Sequence, residues 1–218
     1  MRGVKNQGSC GSCWAFAVTA ALECLYTIKT GTSVDLSPQE LVDCGGYGQF
    51  GCRGGDPAAA FDNIKLKLGI SAWRDYPYVG KENWICYPVR YTMGIRNWDF
   101  VEPRKERALK AAVAERPVVV ALNGNSTAFY NYRGGVFRGP CTTVLTHAML
   151  LVGYNTTVDG DPYGEPAGVD FWILKNSWST AWGEAGYMRL LRGDEKHGGV
   201  CGVMIRPVYP MDPFDLTT

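Results

Sequence analysis

The chain has 218 residues with 22 basic and 21 acidic side chains, and its formal net charge of +1 gives nucleic acid or an anionic membrane no global field to bind. A content of 46% hydrophobic and 12% aromatic residues excludes disorder and leaves room for one large domain or two small lobes. No apolar run approaches the roughly 20 residues that span a bilayer, and the opening MRGVKNQGSC lacks the apolar core of a signal peptide.

The first predicted element is a buried helix over residues 13–29, where Phe16, Ala20, Cys24 and Ile28 recur at helical spacing and Gly31 follows as a C-terminal cap. A second helix starts at Ser37-Pro38-Gln39-Glu40, which combines a capping serine, a first-turn proline and a glutamate three residues after the serine. Asp56-Pro57 opens a third over residues 58–68, ended by Gly69, and residues 106–115 form a fourth. The character then changes, with strands over 118–122, 148–154, 171–175 and 187–192. Between two of them, residues 155–170 are turn-rich and read as an exposed loop, an insertion tolerated at the surface. Helices first and strands second predict an α+β fold, with a helical lobe over about residues 1–100 and a β-rich lobe over about 101–209, followed by a tail at 210–218.

Eight cysteines suggest bridges and an oxidising compartment, and their pairing is open at this level. Two glycosylation tripeptides, beginning at Asn125 and Asn155, agree with secretion. Cys10-Gly11-Ser12-Cys13 has the spacing of a redox dithiol, but that reading needs a preceding strand and a βαβ context, and neither is present. At a helix start the Cys13 sulfur lies near unpaired backbone N–H groups and the positive end of the helix dipole, which favours the thiolate. Cys24, eleven residues on, would lie about 16 Å away along a helix, so these two cannot bridge. A thiolate nucleophile needs an imidazole partner, and the chain has two histidines. His147 stands at the entrance to an apolar strand, whereas His197 lies in a charged, glycine-flanked run and reads as surface loop.

Cys10-Gly11-Ser12-Cys13-Trp14 fits the papain and cathepsin signature. With Leu41-Val42-Asp43-Cys44, Cys52-Arg53-Gly54-Gly55, Tyr132-Arg133-Gly134-Gly135-Val136-Phe137, His147-Ala148, Lys175-Asn176-Ser177-Trp178 and the Trp182-Gly183-Glu184 run, the chain resembles the papain-like cysteine peptidases from about Gly3 to Tyr209. Tyr132-Arg133-Gly134-Gly135 and Gly139-Pro140-Cys141 resemble plant members more than animal cathepsins. The resemblance implies a two-lobe fold with the active-site cleft between a helical and a barrel-like β lobe. It implies disulfides Cys10–Cys52, Cys44–Cys86 and Cys141–Cys201, with Cys13 the nucleophile and Cys24 an unbridged helix cysteine.

By the same resemblance His147 is the acid and base, Asn176 orients its ring under the cover of Trp178, and Gln7 donates to the oxyanion beside the Cys13 backbone N–H. Gly54 and Gly55 pair with an extended substrate. Asp56, Pro57, Ala58, Ala121, Leu145, Ala148 and Arg206 line the pocket for the residue two before the cut bond, and Trp178 and Trp182 complete the substrate-binding set. Arg206 on the pocket floor and Asp56 on its wall are unusual, and imply either a pair across the pocket, a preference for acidic side chains, or an arginine turned to solvent.

Three features depart from the family pattern. Asn176 lies 163 residues after Cys13, beyond the roughly 130–150 of the signature, and the 155–170 loop accounts for the excess. Ser179 replaces a usual glycine, and Thr146 an acidic or amide residue. Third, the resemblance leads one to expect a dozen or so residues ahead of the equivalent of Gly3, preceded by a propeptide and a signal sequence, where the sequence as given has Met1-Arg2. The expected function is a cysteine endopeptidase acting on polypeptides, with no metal or organic cofactor, no nucleic acid or membrane partner, a monomeric state and sensitivity to cystatin-like inhibitors. Its expected location is outside the cell or in a vacuole or lysosome. The alternative is a catalytically impaired homologue with a storage, binding or defence role.

Overall fold

The computed structural model describes residues 3–83 and 85–216, which divide into two compact units. The first comprises Gln7–Asp99 and the C-terminal segment from Val208; the second comprises Val4–Asn6 and Phe100–Pro207.

The first unit is organised by α1 (Cys13–Thr30). Trp14, Ala15, Val18, Ala21 and Leu22 are almost wholly buried on several faces, as befits a helix packed by neighbours on more than one side rather than an amphipathic surface helix. Gly31 ends it in the left-handed conformation (φ 73°), its N–H donating to the Thr27 carbonyl. α1 lies against α2 (Pro38–Cys44), α3 (Pro57–Leu66) and the C-terminal strand Val208–Asp215. Ser37 caps α2 by accepting from the Glu40 N–H, as its sequence predicts. Glu40 does not return the bond to Ser37; its carboxylate turns to Ser71 of β1 (Ile70–Ser71), accepting from both N–H and hydroxyl. α3 starts as expected, with Asp56 capping Ala58, but stops at Leu66 because Leu68 takes the left-handed turn (φ 66°) that Gly69 was expected to supply. β1 pairs antiparallel with β2 (Tyr91–Phe100), and the C-terminal strand lies on the other side of β2. Residues 210–215, expected as a tail, are therefore strand and belong to the first unit, while 217–218 fall outside the described residues.

In the second unit β3 (Val118–Leu122), β5 (His147–Thr156), β6 (Asp170–Lys175) and β7 (Tyr187–Leu191) pair antiparallel in that order, with β4 (Val136–Phe137) parallel on β7. The C-terminal strand of the first unit is β8. α4 (Glu106–Glu115) packs on β5 through Leu109 and Val113, four residues apart on one face. α5 (Thr127–Tyr130), a single turn capped by Ser126, was not expected. The loop between β5 and β6 is shorter than predicted, since Asn155, Thr156 and Asp170 are strand residues. It is also tied down: Asp161 and Glu184 both pair with Arg189 of β7, and Arg138 with Glu165.

Candidate active site

In the first unit the site is the turn Gln7–Cys13. Cys10 is bonded to Cys52 (Cα–Cα 4.6 Å), and the Gly11 N–H donates to the Cys52 carbonyl at 2.8 Å. A Cβ on Gly11 would lie 2.5 Å from that carbonyl oxygen, so only glycine allows the approach. Gln7, 6% exposed, donates from Nε2 to the Cys10 carbonyl at 2.9 Å. Cys13 is the first residue of α1 and is partly exposed. Ser12 before it makes no capping bond, because its backbone (φ −96°, ψ 17°) lies outside the extended region that capping requires. The Ser12 carbonyl takes the Ala15 and Phe16 N–H groups, but no serine hydroxyl caps the helix start at the sulfur. The other two disulfides are Cys44–Cys86 and Cys141–Cys201, so that Cys13 and Cys24 are the cysteines in no bridge.

The remaining predicted residues of this unit have distinct local reasons. Gly55 is packed under Trp14, whose ring carbons a Cβ would meet at 2.6 Å, whereas Gly54 faces open space with φ 117°. Asp56 caps α3, Pro57 fills its first position and Ala58 is buried.

In the second unit His147 opens β5 opposite Leu122 of β3. The residue is 7% exposed and its Nε2 lies 2.8 Å from Asn176 Oδ1. That oxygen also accepts the Ser177 N–H at 2.8 Å, which fixes the amide orientation and makes the histidine nitrogen the donor. His147 thus carries its proton on Nε2, leaving Nδ1 to exchange protons with a reactant. Asn176 Nδ2 is buried with no hydrogen-bond partner among the described residues.

Trp178 covers this pair, its ring centroid 4.7 Å from that of His147, and Trp182 meets Trp178 edge-on at 5.4 Å. Sequence reasoning missed two further members of this wall. Phe129 touches His147, Trp178 and Trp182, and accepts the Trp182 indole N–H on its carbonyl; Tyr130 stacks on Trp178 at 5.2 Å. The Ser126 cap was the available signal for them. Gly124 was missed too: a Cβ there would lie 2.7 Å from that of His147.

Ala121 and Ala148 are direct partners across β3 and β5, and Leu145 precedes them in the approach to His147. Arg206 is exposed, with its guanidinium 5.4 Å over the Phe100 ring. Thr146 accepts the Gly124 N–H on its hydroxyl, and Ser179 adopts φ 63°, which explains a family preference for glycine there. His197 is a surface residue paired with Asp194. Asn125 and Asn155 are both exposed.

The family model for papain family cysteine proteases matches residues 1–211. The chain belongs to the papain family of cysteine proteases. Its relatives include vignain of Phaseolus vulgaris, 43% identical over 95% of this chain and 56% of the relative, and the senescence-specific cysteine protease SAG12 of Arabidopsis thaliana, 41% identical over 95% and 58%. The chain thus spans a little over half the length of these curated relatives. Among solved structures, the bromelain protease of Ananas comosus in complex with the E64 inhibitor superposes with a TM-score of 0.88 at 38% identity, covering 97% of this papain-family chain and 94% of that one.

Proposed function

We propose that the protein is a cysteine endopeptidase in which Cys13 is the nucleophile, His147 the acid and base, Asn176 the orienting residue and Gln7 the oxyanion donor. The observation that carries this reading is the buried His147 Nε2–Asn176 Oδ1 bond, which presents a defined tautomer under an aromatic cover. The Cys13 thiolate attacks the peptide carbonyl carbon, forming the S–C bond while the carbonyl oxygen becomes an oxyanion held by the Gln7 amide and the Cys13 N–H. Collapse breaks the C–N bond, and protonated His147 gives its proton to the departing amine. Water then attacks the thioester, His147 takes its proton, and the acid leaves as the thiolate is restored. Trp178 and Trp182 border the substrate, which pairs through Gly54 and Gly55.

Arg206, assigned by the family resemblance to the floor of the specificity pocket with Asp56 on its wall, selects an acidic side chain two residues before the cut bond. Profiling wild type and Arg206→Ala on a peptide library tests this: loss of an acidic preference is expected, and an unchanged preference for leucine or phenylalanine overturns it. The three disulfides support a secreted, vacuolar or lysosomal location. No helix among the described residues is long and apolar enough to cross a membrane. The activity is tested by turnover of a fluorogenic dipeptide amide under mild reduction, with Cys13→Ala as control. Turnover lost in the variant is expected, and absence of wild-type turnover favours the impaired-homologue alternative.

A further inference from the structure

Tyr76-Pro77-Tyr78 places two tyrosines on opposite errands. Tyr76 is buried and donates its hydroxyl to Asp43 of α2, and burial pushes its phenol up to about 12. Tyr78 points to the active-site turn: its hydroxyl lies 2.7 Å from the Gln7 carbonyl oxygen and 2.7 Å from Ser12 Oγ. A carbonyl only accepts, so the phenol proton goes to Gln7, and Ser12 must donate its own proton to the phenol oxygen. Proton order is therefore fixed along Ser12, Tyr78 and Gln7. Ser12 is wholly buried, and its alternative acceptor, the Cys10 carbonyl, is at 3.5 Å. The Tyr78 ring is held independently of its hydroxyl, edge-on to Phe16 at 4.7 Å and near Trp73 at 6.0 Å.

We propose that Tyr78 is a positioning residue: one hydroxyl ties residue 7, the oxyanion donor, to residue 12, the neighbour of the nucleophile, and so sets the spacing of the oxyanion hole. The inference rests on the reading of Gln7 and Cys13 given above. Other fixings of the turn act between its ends: the Gln7 amide and the Cys52 bridge hold Cys10, and the Gly11 N–H is held by the Cys52 carbonyl. The Tyr78 phenol reaches both ends. Small displacements of a donor from the developing oxyanion cost rate without costing ground-state affinity.

Tyr78→Phe removes the oxygen and leaves the ring packing in place. Three readouts separate positioning from mere stability. Turnover of a dipeptide amide needs the oxyanion. A peptide aldehyde also needs it, since the thiolate adds to the carbonyl carbon and the oxygen takes up the charge or a proton as a hemithioacetal forms. Alkylation by iodoacetamide does not, because sulfur displaces iodide at a saturated carbon. We expect Tyr78→Phe to lower kcat about tenfold with KM within twofold, to weaken the aldehyde about tenfold, and to leave the alkylation rate of Cys13 unchanged. Ser12→Ala, which removes one arm, should give a smaller loss of the same pattern, and Tyr76→Phe should leave all three readouts at wild-type values. Equal losses in turnover and alkylation, or equal effects of Tyr76→Phe, overturn the assignment. A wild-type protein that is alkylated but neither turns over substrate nor binds the aldehyde overturns the peptidase reading itself.

Discussion

Replacing Asn176 with alanine removes the oxygen that accepts both the His147 Nε2–H and the Ser177 N–H, each at 2.8 Å. Two buried donors lose their partner, while an amide nitrogen that already lacks one is removed at the same time. The net penalty is then about that of one orphaned buried group, roughly 1–3 kcal/mol of stability. The cost to activity has a different origin. A bond to a ring that becomes cationic during the reaction is worth about 1.5–3 kcal/mol, and each 1.4 kcal/mol is about tenfold, so kcat/KM should fall roughly ten- to a hundredfold. Trp178 and Phe129 still flank the ring, so the histidine is loosened rather than lost. Fluorogenic dipeptide kinetics measure the effect, with urea unfolding to show that the variant is folded at the assay temperature. A variant folded as well as wild type whose kcat/KM changes less than twofold would refute the role given to this bond.

Other consequences concern stability. Ser179 at φ 63° bears a left-handed strain of about 1–2 kcal/mol, partly offset by the unfolded-state entropy of glycine, so Ser179→Gly should raise the urea midpoint, by an amount equivalent to up to about 1 kcal/mol of unfolding free energy, and leave KM unchanged. A lowered midpoint would contradict the strain. Glu40 is pushed above the ordinary carboxylate range chiefly by burial, against the two Ser71 bonds that pull it down. A carboxyl raised in the folded state contributes stability that is full below its unfolded value and is lost as pH rises through its folded value. Melting curves from pH 4 to 8 should therefore show wild type losing stability relative to Glu40→Gln as pH rises. A constant difference across that range would contradict the burial effect.

The elements that fix the site were the most legible. Residues 13–30 carry an unbroken apolar pattern with a glycine cap, and the strands at 118–122 and 171–175 are short apolar runs bounded by turns, so α1, β3 and β6 could be read directly. Two long strands were hidden for physical reasons. β2 buries three consecutive residues, Met93 to Ile95, instead of alternating, because Gly94 lets Phe214 pack where a side chain would stand. β8 contains Pro210 and Pro213, which argue against a strand in isolation, and Asp212 takes φ 50° between them. Of the proposed site, Cys13, His147 and Asn176 carry motifs that could be read from sequence, while Phe129, Tyr130 and Tyr78 do not. Their roles depend on side-chain contacts between positions distant in sequence, such as Tyr78 with Gln7, which carry no local signal. Glu40 shows the same limit, since its sequence predicts a capping box but the carboxylate turns to a strand thirty-one residues away.

Everything proposed for the site depends on Cys13 being a working nucleophile. The most direct measurement is stoichiometric titration of the folded protein with an epoxysuccinyl peptide, followed by mass mapping of the labelled residue and a parallel turnover assay. One label per chain is expected, on Cys13, with turnover falling in proportion to labelling. An intact fold that takes no label at Cys13, or that keeps its turnover when Cys13 is fully labelled, would contradict it.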